Sequence, residues 1–167
     1  MKALYLFLFI FVFFGQAYSQ TAEEYYNRGL NKVELGDHRG AIADFTRAIE
    51  LNPEFAEAYF FRGAIKADFE DFRGAIADYT RVIELYPEAA GAYYNRGYSK
   101  SRLKDYRGAI ADYTRAIELY PEDVDAYYGR GLAKLLLNRT DSGCLDLSRA
   151  GELGSEQAYE SISKFCN

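Results

Sequence analysis

A segment of 16 residues occurs three times in this chain at a fixed spacing of 34 residues. Residues 39–54, 73–88 and 107–122 nearly coincide, and the second and third copies differ only at Val82 and Ala116. A fixed period of this size is the sequence signature of a solenoid, in which each repeat stacks on the next. The period divides the chain into four repeats: 22–55, 56–89, 90–123 and a divergent fourth repeat, 124–157.

Each repeat contains two stretches in which apolar residues recur three and four positions apart. In the first repeat these stretches run over 22–35 and 38–51, with a Gly-Asp turn between them and Asn52-Pro53 after them. This pattern predicts helix, turn, helix and stop. Since neither helix of such a pair can bury its apolar face alone, the sequence predicts an all-α, right-handed superhelical solenoid of four helix-turn-helix repeats.

Glycine recurs in the middle of every first helix, where it costs about 1 kcal/mol relative to alanine. A recurring glycine at this place therefore needs a packing reason, and we expect close approach of the second helix. The glycines are Gly29, Gly63, Gly97 and Gly131, and the matching small residues on the second helices are Ala41, Ala75, Ala109 and Gly143.

These columns resemble the tetratricopeptide repeat family over about 136 residues, four times 34. The glycine and small-residue columns carry the resemblance together with Pro53, Pro87 and Pro121 and the aromatic column Tyr25, Tyr59, Tyr93 and Tyr127. The fourth repeat departs from the family pattern at Gly143, Leu147 and Ser155, as a terminal repeat often does. The resemblance implies a non-enzymatic scaffold for protein interactions.

A second departure from the family pattern is a periodic set of charges. Every first helix carries an Arg and, four residues later, a Lys, and every second helix carries an Asp. Because a half-buried guanidinium without a partner would cost several kcal/mol, we predict that each Arg pairs with a member of the Asp column across the helices. An anion-binding ladder is the alternative. The Arg column is Arg28, Arg62, Arg96 and Arg130, the Asp column is Asp44, Asp78, Asp112 and Asp146, and Arg96 with Asp112 is the pair to test.

In the family, the first helices line a concave surface along which ligands lie. Transferred to this sequence, the resemblance implies an aromatic groove with an acidic edge and without the Lys, Asn and Arg set that clamps a peptide carboxylate. We expect it to bind an apolar, neutral-to-basic segment of another protein, because aromatic side chains carry much of the energy of interfaces. The expected groove residues are Tyr26, Asn27, Phe60, Phe61, Tyr94, Asn95, Tyr98, Arg102, Tyr128 and Leu132.

One column of that groove has a second interpretation. A stripe of aromatic residues at helical spacing also arises where neighbouring first helices pack against each other. The column consists of Tyr26, Phe60, Tyr94 and Tyr128.

The C-terminal segment 158–167 predicts a short capping helix. Its apolar residues Tyr159, Ile162 and Phe165 share one face, which we expect to cover the open end of the solenoid. The chain has two cysteines, Cys144 and Cys166, and a bridge between them would fasten this helix. Two buried free thiols are the alternative. The ending is similar to the terminal cap of exported bacterial members of the repeat family.

The first 19 residues predict a cleavable signal peptide. Lys2 precedes twelve uncharged, mostly aromatic and aliphatic residues, and the small residues Ala17 and Ser19 follow. Twelve residues span roughly 18 Å as a helix, which is short for a hydrocarbon core of about 30 Å, so an uncleaved anchor is the weaker interpretation. We therefore expect cleavage after Ser19, export to the periplasm or the cell exterior, and no membrane span in the mature chain.

The composition disfavours several function classes. The isoelectric point near 5.0 and the net charge of −5 disfavour binding to nucleic acid, which requires neutralisation of phosphates. The single histidine, His38, occupies the column of Phe72 and Tyr106, which indicates an aromatic substitute. No phosphate loop, nucleophile motif or metal-ligand spacing is present, so we expect no catalysis, no metal and no cofactor.

The sequence thus favours an exported adaptor that binds another protein. Two alternatives stay open. A line of tyrosines can also stack on sugar rings, which would make the protein a glycan or cell-wall binding module. The absence of an evident capping helix before the first repeat would also permit self-association of the solenoid.

Overall fold

A computed structural model describes residues 20–166, in which all regular secondary structure is α-helical. These residues belong to two compact units, which divide between Pro53 and Glu54. The predicted signal peptide lies outside the described residues.

The described part of the N-terminal unit, residues 20–53, contains one helix pair, α1 (Ala22–Glu34) and α2 (His38–Leu51). Thr21 and Glu24 begin α1 with a capping box, in which each side chain accepts a hydrogen bond from the backbone N–H of the other residue. Asp37 caps α2 by accepting from the Gly40 N–H at 2.9 Å. The predicted helix, turn and helix of the first repeat are confirmed. His38 is the first residue of α2 and is half-buried.

The C-terminal unit contains three further helix pairs and a last single helix, and each helix packs against the next. The Ser155 hydroxyl caps the last helix by accepting a hydrogen bond from the Ala158 N–H. This helix begins at Glu156, two residues before the predicted start. The helices are α3 (Ala56–Asp68), α4 (Phe72–Leu85), α5 (Ala90–Arg102), α6 (Tyr106–Leu119), α7 (Val124–Leu135), α8 (Thr140–Glu152) and α9 (Glu156–Phe165).

The recurring glycines allow the two helices of a pair to approach closely, as predicted. A Cβ atom at Gly97 would lie 3.1 Å from the ring of Tyr113 and 3.3 Å from the carbonyl oxygen of Ala109. In the last pair, a Cβ at Gly131 would lie 3.0 Å from the carbonyl oxygen of Gly143. These distances leave no room for a side chain.

The predicted ion pairs are present in all four repeats. In the third repeat, Arg96 donates from Nε and Nη2 to the two carboxylate oxygens of Asp112, at 2.9 and 2.7 Å. Lys100, one turn after the arginine, lies 2.7 Å from the same carboxylate. The Asp side chains are about 95% buried, so each buried carboxylate has two cationic partners.

The arginines also connect successive repeats of the C-terminal unit. Arg96 donates from Nη1 to the hydroxyl of Thr80 in the preceding second helix at 3.1 Å, and Arg130 binds Thr114 in the same way at 3.2 Å. Each threonine hydroxyl donates in turn to the carbonyl oxygen four residues before it. Each of these arginines therefore holds three helices together.

The disulfide between Cys144 and Cys166 fastens α9 to α8, with the two Cα atoms 5.9 Å apart. The predicted covering face of α9 is partly wrong. Ala158 and Ser161 are buried, whereas Tyr159 and Phe165 are 59% and 46% exposed. The reason is the small residue Gly151 on α8. The Tyr159 ring lies along it, and its hydroxyl donates to the Gly151 carbonyl oxygen at 3.0 Å.

Candidate functional site

The C-terminal unit contains a cavity of about 390 Å³ bordered by helices α5, α6, α7 and α9. We name it the tyrosine pocket, because five tyrosines lie in its wall. The lining residues are Tyr94, Tyr98, Ser101, Arg102, Tyr106, Tyr113, Asp125, Tyr128, Gly129, Leu132, Ala133, Leu136 and Gln157.

The two side walls of the pocket come from helical spacing. Tyr94, Tyr98 and Arg102 follow one another at four-residue intervals along α5 and therefore share a face. Tyr128 and Leu132 have the same spacing on α7. These five residues belong to the predicted groove, and the structure brings them together around one cavity.

The floor of the pocket comes from a second helix, which the groove prediction did not include. Tyr113 on α6 is almost completely buried, and its ring centroid lies 5.8 Å from that of Tyr94 in a tilted arrangement. A Cβ atom at Gly129 would lie 2.7 Å from the Tyr113 ring. The first-helix positions equivalent to Gly129 carry Asn27, Phe61 and Asn95. The change to glycine in the fourth repeat was therefore the sequence signal that the Tyr113 ring packs against this position.

The capping helix also contributes to the pocket. Gln157 on α9 lines the cavity, and the hydroxyl of Tyr128 lies 3.4 Å from that of the buried Ser161. The disulfide that fastens α9 therefore also fixes one border of the pocket.

Arg102 lies at the end of α5 with its charge already matched. Its guanidinium donates to the Tyr98 hydroxyl at 2.7 Å and to a carboxylate oxygen of Glu70 at 3.3 Å. The hydrogen bond with Tyr98 is the main cause that raises the pKa of Arg102 above its ordinary value. The guanidinium carbon also lies 4.7 Å from the centroid of the Phe72 ring.

The buried hydroxyls of the pocket stay protonated at neutral pH. Burial raises the pKa of Tyr94 to about 12, and the negative charges of Asp125 and Asp123 add to the rise. Burial also raises the pKa of Tyr113. Both tyrosines can therefore donate hydrogen bonds, and Tyr94 lies in the negative potential of Asp125.

The other predicted groove residues lie outside this pocket. Phe60 and Phe61 are half-buried on α3 with their ring centroids 5.9 Å apart, and Phe60 lines a smaller depression of about 210 Å³. Asn95 is half-buried on α5, and its backbone carbonyl oxygen accepts a hydrogen bond from the Ser99 hydroxyl. In the N-terminal unit, Tyr26 packs against Phe45 with ring centroids 5.8 Å apart, and Asn27 is exposed.

Three members of the Tyr26 column contact an aromatic ring within their own repeat. Tyr26, Phe60 and Tyr94 each have their ring centroid 5.6–5.8 Å from an aromatic ring of their own second helix. The fourth repeat has Leu147 at that second-helix position, and Tyr128 approaches Ser161 of the capping helix instead.

Between residues 20 and 166, no group of three or more His, Cys, Asp or Glu side chains is arranged to hold a metal ion. None of the helices in the same range combines the length and the apolar character that a bilayer crossing requires.

Comparison with protein families gives matches to models of one family. Two models described as tetratricopeptide repeats match this chain, one over residues 22–55 and 90–123 and the other over residues 65–99. Together these ranges cover more than half of the chain. A search among curated proteins found no match.

Solved structures share the fold. A crystal structure of MamA is 25% identical over 86% of this chain and 84% of its own, with a TM-score of 0.79. MamA 41-end from Desulfovibrio magneticus RS-1 is 22% identical over 79% and 75%, with a TM-score of 0.75. The first tetratricopeptide domain of Spaghetti (RPAP3), bound to the HSP90 peptide SRMEEVD, is 23% identical over 72% and 95%, with a TM-score of 0.68.

Proposed function

The chain belongs to the tetratricopeptide repeat family, and from this premise we propose that it is a non-enzymatic scaffold that binds a segment of a partner protein in the tyrosine pocket. The observation that carries the proposal is the convergence of five tyrosines from three helices on one cavity. Tyrosine offers a large rigid contact area and a polar hydroxyl, which is why it is enriched among the residues that dominate interfaces.

The partner segment that we propose is apolar and neutral to basic. The pocket wall is mostly aromatic and aliphatic, and it carries the exposed carboxylate of Asp125. A relative of similar fold, the RPAP3 domain, holds an HSP90 peptide, which supports peptide binding as a use of this architecture. The acidic wall of the present pocket favours a different peptide chemistry.

We also propose that the mature protein is residues 20–167, exported to the periplasm or the cell exterior. The predicted signal peptide and the disulfide between Cys144 and Cys166 support this location, because disulfides persist in oxidising compartments. Expression of the whole chain in an exporting bacterium tests it. The expected product has the mass of 20–167 with one disulfide and is recovered outside the cytoplasm. Recovery of the uncleaved chain in the cytoplasm would contradict the proposal.

Capture of partners from an envelope extract tests the scaffold function. The bait is oxidised 20–167, and the test variant is Tyr98→Ala/Leu136→Ala. Both side chains line the pocket and are more than one third exposed, so their loss removes contact area from the pocket wall. The matched control is Tyr86→Ala/Tyr120→Ala, which removes two exposed tyrosines outside the pocket.

We expect a partner that the parent and the control variant retain and the pocket variant loses, with circular dichroism showing all three proteins equally helical. Equal retention by all three proteins would contradict the role of the pocket. Capture of no protein from an extract of the native host would contradict the scaffold function.

A further inference from the structure

We propose that the tyrosine pocket binds one cationic side chain of the partner segment, an arginine or a lysine, with Asp125 as its counter-charge. This inference rests on the proposed function and adds the chemistry of the ligand. It depends on three features of the C-terminal unit: a carboxylate without an ion-pair partner within residues 20–166, tyrosine rings in the same pocket wall, and an arginine at the other end of α5 that is paired with Glu70.

The carboxylate of Asp125 has no hydrogen-bond or ion-pair partner within residues 20–166. It is exposed on the second residue of α7, and no described side chain forms an ion pair with it. It is not needed as a helix cap, because Asp123 already accepts the hydrogen bond from the Ala126 N–H at 2.9 Å. A carboxylate at the wall of an aromatic cavity attracts a cation more strongly than one in bulk water.

The ion pairs inside the fold show that a guanidinium fits between a tyrosine ring and a carboxylate. In each repeat of the C-terminal unit, an arginine guanidinium lies over a tyrosine ring, 5.4–5.6 Å from its centroid, and pairs with a buried aspartate. The tyrosine pocket offers the same two groups in the wall of an open cavity. A guanidinium or ammonium from outside would complete the arrangement.

Arg102, the arginine in the pocket wall, leaves the space beside Asp125 open to a cation from the partner. One period of 34 residues places Asp125 level with Gly91, eleven residues before Arg102 on α5. Helices α5 and α7 run in the same direction because α6 reverses the chain between them. At about 1.5 Å per residue, the eleven residues between Gly91 and Arg102 span roughly 16 Å along α5, so Arg102 and the position equivalent to Asp125 are at opposite ends of the first helix. Arg102 is also paired with Glu70 at 3.3 Å, which offsets part of its charge.

The rest of the wall suits the aliphatic stem of such a side chain. Leu132, Ala133 and Leu136 line the cavity beside the tyrosines. Long cationic side chains bury their methylene groups against apolar surface while the charged end keeps a polar contact. The volume of about 390 Å³ lies within the range of ligand-binding cavities and accommodates one side chain with part of its backbone.

Three fluorescein-labelled peptides test the inference by fluorescence polarisation with oxidised 20–167. They share one alanine-leucine frame and carry arginine, citrulline or glutamate at the centre. Citrulline has the shape of arginine without its charge. The test variant is Asp125→Asn, and the matched control is Glu88→Gln, an exposed carboxylate outside the pocket.

We expect the arginine peptide to bind about tenfold more tightly than the citrulline peptide, and the glutamate peptide to bind most weakly. Asp125→Asn should remove this preference, whereas Glu88→Gln should preserve it. Added salt should weaken only the binding of the arginine peptide.

Equal binding of the arginine and citrulline peptides, a preference for glutamate, or a preference unaffected by Asp125→Asn would each overturn the inference. So would the absence of binding by all three peptides. None of these results bears on the scaffold function, which the capture experiment decides separately. The pocket variant could lose a partner whose bound segment has no cationic side chain. In that case the scaffold function would stand and the cation site would be refuted.

Discussion

At the scale of single residues, the paired charges explain why this repeat tolerates polar groups between its helices. Arg62, Arg96 and Arg130 have side chains only 14–16% exposed, and each donates two hydrogen bonds to one aspartate. Arg28 in the N-terminal unit is 43% exposed, and its third donor binds the side chain of Gln20 at 3.0 Å. Pairing is what makes the buried carboxylates tolerable, since an unpaired buried charge costs several kcal/mol.

A double-mutant cycle on Arg96 and Asp112 tests this account. We expect Arg96→Met and Asp112→Asn each to lower the free energy of unfolding by about 3 kcal/mol. Asp112→Asn removes the counter-charge of Arg96 and Lys100, and Arg96→Met leaves the buried Asp112 with Lys100 as its remaining cation. The double variant should lose less than the sum of the two by at least about 1 kcal/mol. Urea unfolding of the four proteins measures this coupling.

The exposed pair of Arg115 and Glu118 provides the control cycle. Its side chains are three residues apart on α6 and about half exposed, so the coupling should be about 0.5 kcal/mol or less. Additive losses for Arg96 and Asp112 would contradict a direct energetic pair.

The ion pair of the N-terminal unit predicts a loss of stability in acid. The Arg28 guanidinium, with Lys32 beside it, holds the pKa of Asp44 below the ordinary value of 3.8. The folded state therefore binds fewer protons than the unfolded state near this pH. The stabilisation from Asp44 is present above 3.8 and is lost as the pH falls through the lower folded-state pKa.

We therefore expect Asp44→Asn to be less stable than the parent at neutral pH and to approach it as the pH falls from about 5 to about 2. Urea unfolding at a series of pH values measures the difference. A difference that stays constant over this range would show that Asp44 keeps its ordinary pKa in the folded protein.

The sequence predicted these pairs but only part of their surroundings. Arg, Lys and Asp recur with one period, and their shared period was sufficient to predict the Arg–Asp partners. The hydroxyls of Thr80 and Thr114 recur with the same period, yet their role depends on contact between second and first helices of successive repeats. Such contact follows from packing geometry, which the spacing along one chain does not specify.

At the scale of helices, α9 both covers the end of the solenoid and forms part of the wall of the tyrosine pocket. Its buried residues Ala158 and Ser161 pack on the end of the solenoid, and Gln157 reaches the tyrosine pocket. The apolar stripe predicted for its inner face was misleading, because Gly151 on α8 lets the Tyr159 ring lie along the helix rather than beneath it. Small residues on the receiving helix decided which side chains were buried.

Removal of the disulfide should loosen this helix. Closure of a segment with a sequence separation of 22 residues contributes about 3 kcal/mol in the chain-entropy model. We expect Cys144→Ser/Cys166→Ser to lose about that amount of unfolding free energy. Hydrogen exchange should become faster in α9 and remain unchanged in α3 and α4.

Each single Cys→Ser variant serves as the control and should match the double variant, because either change removes the same bridge. Unchanged exchange in α9 of the double variant would show that packing alone holds the cap.

At the scale of the whole molecule, the two compact units differ in what they can bury. The C-terminal unit has three helix pairs and a capping helix, whereas the described part of the N-terminal unit has one pair. Repeat proteins need about three stacked repeats for stability, because one pair cannot cover its own apolar face.

We therefore expect residues 54–167 to fold alone as an oxidised fragment, with a helical circular dichroism spectrum and a cooperative thermal transition. The fragment 20–53 should be largely unfolded, since chains shorter than about 40 residues seldom form a stable core. A non-cooperative transition of fragment 54–167 would contradict this division of stability.

The sequence by itself determined the helices, their pairing, the ion pairs and the tetratricopeptide fold, because each of these depends on local spacing repeated at one period. It also indicated Tyr94, Tyr98, Arg102, Tyr128 and Leu132 as neighbours on the first helices. Only the tertiary structure decided that Tyr113 and Gln157 complete a pocket with them. Gly129 leaves room for the Tyr113 ring from α6, and the disulfide holds α9 at the border of the pocket. Both effects depend on how helices pack in space, which the spacing along the chain does not specify.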